Sequence, residues 1–385
     1  MISFDNTENA FKAKSDSDLR KSYFLFKLIA NPAMVKIGAV LAPFALKIGL
    51  KGLIRKTIFR QFVGGENIAD CGKTINNLGR YNIGTILDYS VEGKESEEDF
   101  EHCKNEIVQT IKRASSDQHI PFCVFKVTGL ARFALLEKVS QGETLSSNEI
   151  KEWKKVQDRV ETICEEAFLM NKPIFIDAEE SWIQQAIDDL ANQNMARFNK
   201  ERAIVYNTFQ LYRKDRLDYL KKSHQMAESG GYHIGAKLVR GAYMEKERKR
   251  AFEKNYPSPI QDSKEESDKD YDLALGYCLQ HLKQFGLCAG THNEKSSLLL
   301  VELMKKNNVV NNDGRVYFSQ LLGMSDHISY NLALAGYNVV KYVPYGPVRD
   351  VLPYLIRRAQ ENTSVKGQTG RELSLIIKEK KRRKN

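Results

Sequence analysis

The sequence lacks the clustered cysteines and histidines of a zinc site. Its six cysteines form no CxxC pair, and no group of histidines accompanies them. Structural zinc sites need several such ligands at close spacing, and dense disulfides are typical of small secreted chains. We therefore expect no metal site and reduced, mostly buried thiols in a cytosolic protein. The cysteines are Cys71, Cys103, Cys123, Cys164, Cys278 and Cys288.

Two nucleotide-binding fingerprints are also absent. No GxGxxG sequence follows any predicted strand, which argues against a doubly wound dinucleotide-binding sheet. Gly72-Lys73-Thr74 resembles the end of a P-loop, but Asn67 stands where that motif needs glycine.

Long uncharged apolar runs are missing as well. Residues 1–18 have no apolar signal core and carry several acids, so they are neither a secretory signal nor an Arg-rich transit peptide. A bilayer-spanning helix needs about 20 apolar residues. Residues 23–60 instead predict a basic amphipathic helical segment, which either contacts a membrane surface or packs against its own domain. The lysines that interrupt its apolar part are Lys27, Lys36, Lys47 and Lys51.

Apolar residues and positive charge are both plentiful. The chain has 385 residues, of which 42% are hydrophobic and 10% aromatic, enough for one large domain with appendages. The net charge is +10, and the run Lys380–Lys384 contributes to it. We interpret this run as a disordered, solubilising tail rather than as a nucleic-acid or lipid contact.

From residue 84 onward, strand-like and helix-like segments alternate. This order predicts a parallel sheet with helical crossovers, and eight units over about 280 residues match the size of a (βα)8 barrel. An open doubly wound sheet is the alternative. The predicted strands are 84–93, 121–131, 173–181, 202–212, 233–243, 287–293, 315–323 and 338–343.

The predicted organisation therefore has three parts. Residues 1–83 form an N-terminal helical arm and connector, with a helix break near Asn31-Pro32. Residues 84–364 form the α/β barrel, and residues 365–385 form the basic tail.

Each predicted strand ends at a polar residue. In a (βα)8 barrel the active site lies at the C-terminal strand ends. A purely structural account does not explain this regularity, which favours an enzyme. The residues are Glu92, Lys126, Asp177, Gln210, those of 237–243 and of 291–293, Gln320 and Tyr342.

Residues 337–362 predict a strand, a Pro/Gly break and then a helix with Asp350 as N-cap. On that helix two arginines, a tyrosine and a glutamate share one face, at i, i+3, i+4 and i+7. Adjacent guanidinium groups can bind both oxygens of a small carboxylate. The alternative is a solvated basic face with an ion pair. The four residues are Tyr354, Arg357, Arg358 and Glu361.

Three shorter segments carry weaker signals. Gly241 would permit a ligand to approach the backbone closely. His292 belongs to a donor and acceptor set that suits a heteroaromatic ring, although a lone histidine after a strand is more often a core residue. Asp177 is a carboxylate at a strand end, and the acids that follow it are equally consistent with capping the next helix.

Taken together, these segments resemble the proline dehydrogenase family of flavoenzymes, which oxidise L-proline. The resemblance covers roughly residues 84–364. The family has a (βα)8 barrel and binds FAD without a dinucleotide fingerprint. The matching motifs are IDAEE (176–180), KLVRGAYMEKER (237–248), GTHN (290–293), QLLGM (320–324) and YLIRRAQEN (354–362).

The resemblance implies roles for individual residues. Arg357 and Arg358 correspond to a clamp for the proline carboxylate, and Glu92 to the acid that pairs with the first clamp arginine. Lys237 stands where relatives have arginine, so the charge is kept but the planar fork is lost. The remaining substrate-pocket positions are Lys126, Asp177, Tyr342 and Tyr354. The FAD-contacting positions are Gln210, Lys237, Val239, Gly241, Tyr243, Thr291, His292, Asn293 and Glu361.

The resemblance also implies an activity and partners. FAD would accept hydride from L-proline, giving Δ1-pyrroline-5-carboxylate in the first step of proline catabolism, and a quinone would receive the electrons. We expect a separate pyrroline-5-carboxylate dehydrogenase, no nucleic-acid partner, and a cytoplasmic enzyme with peripheral contact to the inner face of the cell membrane through residues 23–60.

Two alternatives remain open. One is a flavoenzyme for hydroxyproline or another cyclic amino acid, although Tyr342 favours unmodified proline because a ring hydroxyl would crowd it. The other is a lipid- or nucleic-acid-binding protein on an inactive barrel, which predicts no bound flavin.

Overall fold

The eight strands of this chain close into one parallel barrel in chain order, from β1 to β8. This confirms the predicted (βα)8 fold. The computed structural model describes residues 2–47, 49, 51–90, 95–364 and 368–384, without the side chains of Ala45 and of residues 361–369. The chain divides into two compact units, a terminal unit of Met1–Glu92 with Gln320–Asn385 and a central unit of Gly93–Ser319.

Every predicted strand is found, with shifts of a few residues at its ends. The strands are largely buried along their whole length, as expected for a parallel sheet that is covered on both faces. The strands are β1 Ile83–Tyr89, β2 Phe122–Lys126, β3 Ile174–Asp177, β4 Val205–Gln210, β5 Ile234–Val239, β6 Phe285–Gly290, β7 Val316–Leu321 and β8 Val339–Tyr345.

The helices of the N-terminal arm confirm the predicted break, because one helix ends at Ile29 and the next begins at Pro32, a position where proline's missing N–H costs little. A π-helical turn, Arg55–Phe59, interrupts the later part of the arm. The arm helices are α1 Thr7–Ala10, α2 Asp16–Ile29, α3 Pro32–Lys47, α4 Lys51–Ile54, α5 Arg60–Phe62 and α6 Gly72–Gly79.

The crossover helices largely match the predicted helical segments. Sequence reasoning missed α8 and α12 and placed the start of α13 too late. The helices are α7 Glu97–Ser115, α8 Phe133–Gln141, α9 Ser147–Leu169, α10 Ser181–Phe198, α11 Arg216–Gly230, α12 Met244–Lys254, α13 Lys264–Gln280, α14 Glu294–Lys306, α15 Asp326–Leu334 and α16 Leu352–Ser364.

The C-terminal residues form a helix, α17 Gln368–Arg382, so the prediction of a disordered tail was wrong. The buried carboxylate of Glu379 accepts hydrogen bonds from Arg382 (2.9 Å) and Arg383 (2.7 Å). Although burial opposes it, these bonds lower the pKa of Glu379 to about 2. Arg383 also donates to the backbone carbonyls of Phe11 and Lys14. The basic run is therefore ordered by partners that local sequence does not show.

The arm and the C-terminal helices of the terminal unit share a hydrophobic core. α1 packs on α15, α2 on α17 and α3 on α16. The rings of Phe26 and Phe62 meet edge to face, with centroids 6.4 Å apart. Leu355 and Ile376 belong to the same buried cluster. Most of the arm is thus part of the fold.

All six cysteines are free and buried, as predicted. Burial raises the pKa of the Cys71 and Cys123 thiols to about 12. Among the described residues there is no group of three or more His, Cys, Asp or Glu side chains arranged to hold a metal ion.

No single helix in the described part of the chain is long and apolar enough to cross a bilayer. The helices Asp16–Ile29 and Pro32–Phe44, bent by 97° at the break between them, have the length and composition of a span only when taken together.

Replacing Phe62 by alanine tests whether the arm is part of the folded core. Phe62 is 0% exposed, and loss of a buried ring costs about 3–5 kcal/mol of unfolding free energy. Phe252, which is 88% exposed, provides the matched control. We expect urea denaturation to show a large loss of unfolding free energy for Phe62→Ala and little change for Phe252→Ala. Equal midpoints for the two variants would contradict this packing.

Candidate active site

The central unit carries most of the predicted site residues at the C-terminal ends of its strands. Each of four strands ends with one of them, and a further group follows β6 directly. Lys237 lies two residues before the end of β5 and, by strand alternation, faces the same side as Val239. The residues at the strand ends are Lys126 of β2, Asp177 of β3, Gln210 of β4, Val239 of β5 and, after β6, Thr291, His292 and Asn293.

A buried ion pair joins two of these residues. The Lys237 ammonium lies 2.5 Å from Asp177 Oδ1, and both side chains are buried. On the intervening strand, Thr208 donates to the carbonyl of Ile176 (2.9 Å) and lies 3.4 Å from Asp177 Oδ1. The ammonium also lies 5.2 Å from the centre of the Phe175 ring. Removing either charge alone would take this ion pair away from the other buried group, which is destabilising.

Glu179 is a buried carboxylate to which sequence reasoning gave no site role. Its two oxygens accept hydrogen bonds from the backbone N–H (3.1 Å) and the hydroxyl (2.5 Å) of Thr128, in the turn that follows β2. Burial, together with the nearby Glu180, raises its pKa to about 7, although Thr128 and Lys126 act in the opposite direction. The acids after Asp177 do not cap the next helix, since Glu180, the N-cap residue of α10, makes no capping bond.

A chain of buried polar groups continues from Glu179. Its N–H donates to the Gln184 amide oxygen (2.8 Å), and Gln184 donates to Asp188 (3.0 Å). Asp188 also accepts from Asn207 of β4 (2.9 Å) and from Arg216 of α11 (2.6 Å). The loops that follow β2 and β3 are thus tied to β4 and α11 by charge-assisted hydrogen bonds.

Packing accounts for the glycine at Gly241. Its φ is +137°, which disfavours residues with a side chain, and a Cβ atom there would lie 2.4 Å from the ring of Tyr212. The close approach predicted for a ligand is made by the chain itself. Tyr243, two residues on, is half-buried at the start of α12.

Thr291 and Asn293 both have structural partners. Asn293 is the N-cap of α14 and accepts from the N–H groups of Lys295 (2.9 Å) and Ser296 (3.3 Å). Thr291 accepts from the guanidinium of Arg240 (2.9 Å), which also binds Ser296. Arg240 lies inside the KLVRGAY motif and the predicted 237–243 segment, but the resemblance gave it no role of its own. His292 is half-buried.

Gln210 provides the test of whether FAD suits this site. It is 2% exposed, and its Oε1 has no hydrogen-bond partner in the described part of the chain. A buried amide oxygen left unpaired is costly, so such an atom is typical of a place where a ligand donor binds. The ammonium, hydroxyl and imidazole of Lys237, Thr291 and His292 add complementary donors and acceptors. The residues present therefore fit the flavin group.

The terminal unit carries the other predicted residues on β8 and α16. Lys341 faces α15, where it lies 3.0 Å from Asp326, so the buried side chain of Tyr342 points to the opposite face of the strand. Arg358 is only 6% exposed, and its guanidinium lies 5.1 Å from the centre of the Tyr354 ring. For Arg358, this burial contradicts the alternative of a solvated basic face.

The other predicted residues of the terminal unit are Asp350, Glu92, Glu361 and Arg357. α16 begins at Leu352, so Asp350 lies in the preceding turn and is not the N-cap as predicted. Glu92 and the side chain of Glu361 lie outside the described residues. Arg357 is half-buried.

A cavity of about 450 Å³ lies at the other end of the central strands. Its lining includes Phe122, Tyr206 and Tyr317, in the N-terminal halves of β2, β4 and β7, with Lys172 and Arg202 just before β3 and β4. It contains none of the predicted site residues and is not the candidate active site.

The pKa of Glu179 leads to a testable pH dependence of stability. A folded pKa of about 7, above the ordinary 4.5, means that the folded protein binds this proton more tightly than the unfolded chain. The free energy of unfolding should therefore fall as pH rises from about 4.5 to about 7, by about 3 kcal/mol from this group. Urea denaturation across that pH window should show a smaller fall in the free energy of unfolding for Glu179→Gln than for the wild type. Glu143→Gln, at an exposed position, should keep the wild-type slope, and equal slopes in both variants would contradict the assignment.

Comparisons with known proteins bear on what this arrangement does. The family model described as proline dehydrogenase matches residues 71–371. The chain is 31% identical to proline dehydrogenase 1, mitochondrial, of Dictyostelium discoideum, covering 98% of this chain and 74% of that protein. It is 30% identical to hydroxyproline dehydrogenase of Xenopus laevis, and this match covers 97% of this chain and 88% of that protein.

Solved structures support the fold. Proline utilization A from Bdellovibrio bacteriovorus matches with a TM-score of 0.74 and 18% identity, covering 93% of this chain and 38% of that one. At this identity the likeness shows the barrel fold alone.

Proposed function

Because the chain belongs to the proline dehydrogenase family of oxidoreductases, we propose that it oxidises L-proline to Δ1-pyrroline-5-carboxylate with FAD as cofactor and a quinone as electron acceptor. The observation that carries the proposal is the family match over residues 71–371, which includes every candidate site residue. Membership of an enzyme family also favours this reading over a binding protein on an inactive barrel.

The cofactor proposal rests on the polar residues of the central unit. When bound, FAD supplies the acceptor for the hydride that leaves proline. Gln210, Lys237, Thr291 and His292 would hold it, with the orphaned oxygen of Gln210 as an acceptor for a ligand donor. The Asp177 carboxylate fixes the Lys237 ammonium in one position, so this cation is preorganised before any ligand binds. The other predicted FAD contacts remain predictions.

The substrate proposal rests on the terminal unit. Arg357 and Arg358 would bind the carboxylate of proline, since a guanidinium presents a planar fork to both oxygens. The burial of Arg358 beside Tyr354 strengthens such a bond, because charge interactions are stronger away from water. Tyr342 and Tyr354 would pack against the apolar ring. Lys126 and Asp177 are proposed to complete the substrate pocket.

Replacing the clamp arginines tests the substrate proposal. Losing one charge-assisted bidentate contact costs on the order of 2–4 kcal/mol, which raises KM for proline by roughly 30- to 1000-fold. We expect this for both Arg357→Met and Arg358→Met, with FAD still bound in each. Arg80→Met, at an exposed position, is the control. Near-normal KM values in both clamp variants would remove the clamp from the mechanism.

The similarity to a hydroxyproline dehydrogenase favours one alternative substrate. Tyr342, which is buried on β8, is the residue we propose to exclude a ring hydroxyl. Comparing kcat/KM for L-proline and hydroxyproline separates the two, and a higher value for hydroxyproline would replace proline as the substrate.

Three further predictions remain proposals. They are the separate pyrroline-5-carboxylate dehydrogenase that consumes the product, the absence of a nucleic-acid partner, and a cytoplasmic location with peripheral contact to the membrane.

A further inference from the structure

The cavity of about 450 Å³ at the N-terminal ends of the central strands, hereafter the basal cavity, has the size of a small-molecule site. The apolar part of its lining is aromatic. The Phe122 ring meets the rings of Tyr206 and Tyr317 edge to face, with centroids 5.6 and 4.7 Å away. Phe285 adds another ring to the lining. Because aromatic rings pack well against one another, this lining suits a ligand with a flat apolar body.

Two tyrosine hydroxyls line the basal cavity without partners. Tyr206 is 4% exposed, and neither its hydroxyl nor that of Tyr317 makes a hydrogen bond within the described part of the chain. Burial raises the pKa of both hydroxyls, although the nearby guanidinium of Arg202 acts in the opposite direction. Both groups therefore keep their protons and can donate. A buried donor left unpaired is costly, so it is typical of a place where a ligand acceptor binds.

Gly286 shows where the Tyr206 hydroxyl lies. A Cβ atom at Gly286 would collide with the Tyr206 hydroxyl oxygen and would lie 2.9 Å from the Cβ atom of Ala203. All three residues line the basal cavity. The hydroxyl oxygen is thus at the cavity wall, and the glycine leaves it room.

Positive charge dominates the polar part of the lining. Four of the lining residues are cationic, and Glu201 is the one acid among them. Burial lowers the pKa of Lys172, whose ammonium donates to the carbonyl of Ile120 (3.3 Å), and an anion beside this ammonium would offset the effect of burial. Three of the four cations make no ion pair with any residue that the structure describes, namely Lys172, Arg202 and Lys283.

From these observations we propose that the basal cavity binds a small organic anion with a flat apolar body, such as an aromatic carboxylate or an aryl phosphate. The anionic group would accept hydrogen bonds from the Arg202 guanidinium and from the hydroxyls of Tyr206 and Tyr317. The apolar body would pack against Phe122 and Phe285. The residues proposed to bind proline and FAD do not line this cavity, so the inference does not depend on the proposed function.

Benzoate and phenyl phosphate are the probes, and benzyl alcohol is their neutral counterpart. Their dissociation constants are measured by saturation-transfer NMR on the FAD-saturated full chain carrying Arg357→Met. This substitution is included because the proposed proline clamp could also bind a carboxylate. We expect both anions to bind at least about tenfold more tightly than benzyl alcohol, since the alcohol makes no charge-assisted hydrogen bond.

Two further substitutions assign the binding to the basal cavity. Tyr206→Phe and Arg202→Gln should each weaken binding of both anions about tenfold, since each removes one donor to a charged group. Tyr232→Phe is the first control, because this buried tyrosine also lacks a hydrogen bond to its hydroxyl among the described residues and lies outside the cavity. Arg248→Gln is the second, because Arg248 is exposed and, like Arg202, donates to a backbone carbonyl.

Thermal denaturation separates lost binding from lost folding. The Tyr206 hydroxyl has no partner within the described fold, so Tyr206→Phe should not lower the melting temperature of the unliganded chain. Three results would overturn the inference. They are no binding of either anion, equal affinity for benzyl alcohol and benzoate, and anion binding in Tyr206→Phe and Arg202→Gln as tight as in their controls.

Discussion

The buried ion pair of Asp177 with Lys237 is the constraint on which the central part of the site depends. Asp177 ends β3, Lys237 lies on β5, and Thr208 on β4 lies beside Lys237 in the strand register. Thr208 is bonded to the end of β3, so these contacts link three successive strands. Because an unpaired buried charge is far more costly than a paired one, the pair fixes where both groups sit. The strands that end at Lys126 and Gln210 are held by the neighbouring Glu179 network, through Thr128 just after β2 and Asn207 on β4, so a preorganised polar surface results.

Buried charge also organises the terminal unit. Lys341 of β8 lies 3.0 Å from Asp326 of α15, which in turn lies 3.3 Å from Lys14 of the arm. Burial lowers the pKa of Lys341, while the two lysines lower the pKa of Asp326 against the effect of its burial. Together with the hydrogen bonds that Arg383 donates to the carbonyls of Phe11 and Lys14, these contacts join the N-terminal arm to the C-terminal part of the chain. The arm is therefore fixed to the rest of the terminal unit on one side, while several of its large apolar side chains stay exposed on the other.

Much of the fold and part of the candidate site could be predicted from the sequence, because strand and helix periods, turn residues and motifs are local features. All eight strands and the helix break at Pro32 were predicted in this way. That α17 is an ordered helix could not be predicted in this way. Its order depends on the burial of Glu379, and burial depends on residues far apart in the sequence. The structural reasons for two motif residues could not be predicted either. A side chain at Gly241 would collide with the ring of Tyr212, and Asn293 caps α14. Glu179 and Arg240 lie within recognised motifs, but their structural roles become clear only from the residues that they contact in the fold.

The proposed function requires that this chain reduces a bound flavin with L-proline. An anaerobic absorption spectrum of the purified full chain, taken after incubation with FAD and again after adding L-proline, tests it directly. We expect a flavin band that bleaches when proline is added. A flavin band that persists would keep the cofactor but contradict the substrate, and no flavin band after incubation would contradict the claim as a whole.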